Sequence, residues 1–165
     1  RTVYAVHQYH PQLYTHETPD DPNNPLFLRK YPDQSNTQDY TYDGIPDIYT
    51  QTELAKDLIP IDTFKTQHNL NVAVTEYGVF RWVPGADTFL GDELALFDNK
   101  KVNTALWQWY SSYTGGGGAY LRNDDTFYRH GPDYANQSIV LPNPLINTIK
   151  LYWSKNTKWP STYPP

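Results

Sequence analysis

A chain of 165 residues is long enough for one domain with a buried core, and 16% aromatic residues argue against disorder. The net charge of −5, with no basic run interleaved with aromatics, argues against nucleic-acid binding. No apolar stretch approaches the roughly 18 residues of a membrane span.

The first run, TVYAVHQY over residues 2–9, reads as a strand. The sequence has no Met and opens inside this strand pattern, which leads us to expect a piece of a longer protein that starts mid-fold. The segment 10–50 is rich in Pro, Asp and Asn and reads as a long connection. Residues 51–69 set Leu54, Leu58, Ile61 and Phe64 at steps of three and four, the spacing of a helix that Pro60 should kink or restart. NVAVTEYG over 71–78 is the second strand. Asp87 can cap a following helix whose apolar stripe is Phe89, Leu90, Leu94 and Phe97. NTALWQWY over 103–110 is the third strand, and residues 144–155 give a last helix with Leu145, Ile149 and Tyr152 or Trp153 inward.

No strand alternates cleanly between apolar and polar residues, which predicts burial on both faces, as in parallel sheets. Strand, helix, strand, helix, strand, helix is the order of a parallel sheet with right-handed crossovers. The connections after the strands are long, and in an α/β barrel such loops carry the site. The run TGGGG at 114–118 lacks the Lys-Ser/Thr of a phosphate-binding loop and reads as a turn.

Side chains two apart on a strand share a face. That rule pairs His7 and Tyr9 above Val3 and Ala5, sets Glu76 above Val74 and Val72, and sets Trp107 and Trp109 with Ala105. Each strand then ends in a polar or aromatic group, and His7, Tyr9, Glu76 and Trp107 converge if these faces point into one barrel. A carboxylate there can attack an anomeric carbon, provided donors keep it ionised, and an indole can carry a pyranose ring. Each residue alone also has a plain structural reading: an ion-paired strand end for Glu76, a core histidine for His7, packing for Trp107. The 15 Tyr and 5 Trp suit sugar binding or packing beneath loops.

VHQYHPQLYTHE (6–17) and VAVTEYGVFRWVPGADTFLGDELALFDNKKVNTALWQW (72–109), with their spacing, resemble the sixth, seventh and eighth strands of glycoside hydrolase family 5, the cellulase and mannanase group of clan A. The resemblance implies an α/β chain forming the C-terminal part of a (β/α)8 barrel, a single partial domain over 1–165 with a Pro-rich tail at 156–165. It implies a retaining β-glycosidase acting on a β-linked oligo- or polysaccharide. Glu76 in TEYG matches the nucleophile, His7 and Tyr9 match the His-x-Tyr pair of the sixth strand, and Trp107 matches the tryptophan beside the cleaved sugar, with Trp109 a further substrate contact.

The family's acid/base glutamate follows an asparagine, and no Asn-Glu pair exists here. Glu17, Glu53 and Glu93 sit in loop or helix patterns and are poor substitutes. The segment alone is therefore expected to be inactive, and its partner would be the missing N-terminal barrel segment or a second chain. No metal or organic cofactor is implied, since no His, Asp or Glu cluster has ligand spacing; absence of Cys removes thiolate sites and disulfides. By resemblance the protein is expected to be secreted. Two other readings stand beside this one: a non-catalytic carbohydrate-binding module and a self-pairing half-barrel.

Overall fold

The computed structural model describes residues 2–15, 29–107, 128–131 and 138–156. Three parallel strands form the main sheet: β1 (Val3–Gln8), β4 (Asn71–Tyr77) and β5 (Asn103–Thr104), in the order β1-β4-β5. Helices α1 (Gln12–Thr15), α2 (Gln51–Asp57), α3 (Ile59–His68), α4 (Ala86–Lys100) and α5 (Pro144–Trp153) complete the fold, together with β2 (Asp33–Gln38) and β3 (Asp47–Tyr49). The chain is thus a mixed α/β structure with a parallel sheet.

The predicted helical segment 51–69 breaks where Pro60 requires, between α2 and α3 at Leu58. Thr50 and Glu53 form a reciprocal capping box at the start of α2. Leu54 and Leu58 are fully buried, while Phe64 is partly exposed and meets the Tyr4 ring edge-on at 5.3 Å. On α4 the stripe Phe89, Leu90, Leu94 and Phe97 is buried as its spacing predicts, worth about 1.5–3 kcal/mol per side chain. Asp87 does not cap this helix. Gly85 stands at the cap with φ 84°, and Asp87 lies in the first turn, where its charge suits the helix dipole. A Cβ at Gly85 would run into the Tyr31 carbonyl, so a tertiary contact selects the glycine. In α5, Leu145, Ile146 and Ile149 are buried and Tyr152, rather than Trp153, packs against the core.

The long segment after β1 is more structured than its composition suggests. It contains α1 and the antiparallel pair β2–β3. Tyr40 and Tyr49 stack there at 5.3 Å, and the Tyr40 hydroxyl donates to the Lys30 carbonyl at 2.8 Å.

Among the described residues the sheet is covered on one face, against the expectation of two. Residues paired in register point to the same side. Tyr4, Val6 and Gln8 pair with Val72, Val74 and Tyr77, and most of these are buried or half-buried against the helices. Val3, Ala5 and His7 pair with Asn71, Ala73 and Glu76 on the opposite, open face, where Val3 is 56% exposed. A register shift after Val6 leaves Thr75 unpaired. That bulge overturns the expected grouping of Glu76 with Val74 and Val72: the extra residue turns Glu76 to the open face and Tyr77 to the helices. The third strand is shorter than the predicted 103–110. Its ladder nevertheless continues, with Ala105 N–H donating to the Val74 carbonyl and Trp107 N–H to the Tyr77 carbonyl, both at 2.9 Å. Residues 108–110, and with them Trp109, lie outside the described residues, as do Glu17, the run 114–118 and all but residue 156 of the tail.

Candidate active site at the strand ends

Three of the sequence-predicted residues meet at the C-terminal end of the sheet. The Tyr9 hydroxyl donates to Glu76 Oε2 at 3.1 Å, and His7 Nδ1 lies 3.4 Å from the same oxygen. The Glu76 side chain is 28% exposed and that of His7 is 56% exposed, so the group is open to a ligand. Burial, then the neighbouring Glu76 charge and hydrogen bond, push the Tyr9 phenol well above its usual range. It therefore remains a donor at any ordinary pH, which is what an ionised carboxylate needs beside it. Neither contact involves Glu76 Oε1.

Several bonds hold Tyr9 in place. Thr15 Oγ1 donates to the Tyr9 carbonyl at 2.5 Å, and the Thr15 carbonyl accepts Phe80 N–H at 2.9 Å. Thr15 is fully buried on α1, so the turn after β1 is tied to the loop after β4. The two chain segments that carry Tyr9 and Glu76 cannot drift apart without breaking these links.

Trp107 stands at the end of the run paired to β4 and is 48% exposed. Leu106 packs toward the core while Ala105 and Trp107 are exposed, consistent with the predicted shared face of Ala105 and Trp107. The residue that positions this run was not foreseen. Tyr128, fully buried, donates from its hydroxyl to the Trp107 carbonyl at 3.4 Å and accepts Val79 N–H at 2.9 Å. Nothing in the sequence around Tyr128 distinguishes it from the other 14 tyrosines.

Gly78 is the residue that permits this junction. A Cβ there would strike the Trp107 carbonyl oxygen and lie 2.5 Å from the Tyr128 hydroxyl. Gly78→Ala is expected to destabilise the protein by about 1–3 kcal/mol, the usual cost of forcing atoms into a filled space. It should also displace Trp107. Thermal melts, with Trp fluorescence as the second readout, check this; a variant with unchanged melting and emission would show that the junction gives way easily.

Three further carboxylates come together outside this site. Single oxygens of Asp39, Asp43 and Asp47 lie within 4.8 Å of one another, a cluster that the sequence spacing did not suggest. Their oxygens are largely taken up by the turn they build. Asp39 accepts the N–H groups of Thr41, Tyr42 and Gly44, and Asp47 accepts that of Tyr40. Two cavities lie elsewhere too. One of about 190 Å³ lies beside Arg81 and the start of α4, and one of about 420 Å³ lies between the ends of α4 and α5. Neither is lined by Glu76.

No family model matches the chain, and no curated protein matches it. Solved structures do. One, described as a glycoside hydrolase, is 22% identical, with 66% of this chain and 32% of that chain covered at a TM-score of 0.51. Another is Cel5A of Thermotoga maritima in complex with a mannotriose substrate, 14% identical, with 67% of this chain and 32% of that one covered at a TM-score of 0.50. The chain spans about a third of the length of each, and at these identities the likeness is one of fold. The fold is glycoside hydrolase-like.

Proposed function

We propose that this chain is the C-terminal part of a (β/α)8 retaining β-glycosidase of the family-5 type, acting on a β-linked glucan or mannan, with Glu76 as nucleophile. The observation that carries the reading is the pair of contacts on one oxygen of Glu76. Tyr9 and His7 both face Oε2, at 3.1 and 3.4 Å, at the C-terminal edge of a parallel sheet. Active sites of barrels of this kind sit at that edge.

On this reading each side chain has a task. Tyr9 holds Oε2 by donation and keeps the carboxylate oriented. Oε1 is then the oxygen that attacks the anomeric carbon, forming a C–O bond as the glycosidic C–O bond breaks. The proton for the leaving oxygen must come from a second carboxyl. Among the described residues, the open face of the sheet carries one acid, Glu76, so that proton donor belongs to another part of the barrel. Trp107, half-exposed beside the site, offers its ring to the sugar, and His7 adds a polar contact to the substrate or to Glu76.

The test is the stereochemistry of the product. The complete enzyme, followed by proton NMR on a β-1,4-glucan or β-1,4-mannan oligosaccharide, should release the β-anomer first. Initial release of the α-anomer, or no cleavage of either glycan, would sink the assignment of Glu76 as a nucleophile.

A further inference from the structure

Glu93 lies within α4 and is fully buried, and neither of its carboxylate oxygens has a hydrogen-bond partner. A charge at this position would act on five tyrosines: Tyr9, Tyr31, Tyr49, Tyr77 and Tyr128. Four of these phenols are engaged elsewhere. Tyr9 donates to Glu76, Tyr31 to Asp92 at 2.8 Å and Tyr49 to Asp57. Tyr128 donates to the Trp107 carbonyl. None of the five donates to Glu93.

The charged groups around it offer no relief. Glu76, Asp92 and Asp57, which take the tyrosine hydroxyls, are all acids. Helix α2 brings Glu53 and Lys56, already paired with each other, and α5 brings Lys150, which is exposed. Burial alone pushes the Glu93 carboxyl well above the usual range, and no cation pulls it back. A buried carboxylate without donors is costly, so the folded protein holds the neutral acid.

We propose that Glu93 is a pH-sensitive switch of stability built into the fold, a neutral acid buried on α4 without a hydrogen-bond partner, whose loss of a proton destabilises the folded chain. An unfolded glutamate ionises near pH ~4.3. Below that pH both states are protonated and Glu93 costs nothing electrostatically. Above it the unfolded chain gives up the proton and the folded chain keeps it. Stability therefore falls as pH rises, by about tenfold in the folding equilibrium per pH unit, until the raised folded value is reached.

The experiment measures thermal unfolding of the full-length protein, wild type against Glu93→Gln and Glu93→Met, at pH 5, 6, 7 and 8. Wild type should lose stability relative to both variants from pH 5 upward, by up to about tenfold in its folding equilibrium per pH unit while the folded chain keeps the proton. The gap in melting temperature should widen at each step. A gap that is constant across pH overturns the proposal. So does a Gln variant less stable than wild type at pH 8, which would mean that Glu93 is ionised and paired. If Glu93→Gln fails to fold, the Met variant, of similar volume, carries the same readout. Failure of both to fold at pH 5 also overturns it, because the native state would then need the carboxyl itself. Stability rather than turnover is read, so the outcome is independent of the role proposed for Glu76.

Discussion

Glu76→Gln in the complete enzyme is expected to lose hydrolysis by several orders of magnitude while sugar binding survives. The substitution removes charge and nucleophilicity but keeps shape. The Tyr9 hydroxyl can still donate to the amide oxygen, so the open face should keep its form. That retention separates a chemical role from a structural one. A carboxylate that only tied Tyr9 and His7 together would be replaced by an amide at small cost, since exposed or half-exposed polar contacts of this kind contribute about 1 kcal/mol. Azide rescue of Glu76→Gly, giving an α-glycosyl azide from a β-linked substrate, tests the same claim from the other side. An azide ion can occupy the vacated space and attack where Oε1 would have attacked. Near-normal turnover of Glu76→Gln on an activated aryl glycoside would remove Glu76 from the chemistry.

What the sequence made legible was local. The stripe on α4 and the break at Pro60 follow from helical spacing and from the geometry of proline, and both are found. The convergence of His7, Tyr9 and Glu76 was legible for a weaker reason, because each closes a strand-like run. The route to it was partly wrong. Strict alternation put Glu76 on the face of Val72 and Val74, and only the unpaired Thr75 turns it toward His7. A bulge of this kind arises from pairing with β1, sixty-odd positions away in sequence (the partners are His7 and Glu76), and leaves no mark within the strand.

Features made by long-range contact were hidden in the same way. Gly85 caps α4 because the Tyr31 backbone lies against it, and the β2–β3 pair rests on the stacked Tyr40 and Tyr49. Glu93 is a different case. Its position falls within the spacing of the stripe, beside Leu90 and Leu94 and four before Phe97, so periodicity alone would have buried it. The structure buries it there, although it is a charged residue type.

The second large effect concerns residues 1–165 on their own, which we expect not to hydrolyse a β-glucan or an aryl β-glycoside. Retaining cleavage requires two carboxyls about 5–5.5 Å apart, one to attack and one to protonate the leaving oxygen. Glu76 is the one acid on the described open face, and Glu93 is sealed in the core. The sheet is incomplete as well. Of its three strands, β1 and β5 each have one edge without a partner among the described residues, and three strands cannot close a barrel. Such edges are paired in a stable fold, either by the remaining strands of the barrel or by a second copy. The measurement is turnover by purified residues 1–165, with and without a separately expressed N-terminal barrel segment, alongside the molar mass in solution. Activity that appears only in the mixture supports the glycosidase reading. An inactive symmetric dimer that the N-terminal segment does not disturb would favour a self-pairing half-barrel. Robust activity of a verified monomer, abolished by Glu76→Gln, would place the second acid within this chain and overturn the division of the site.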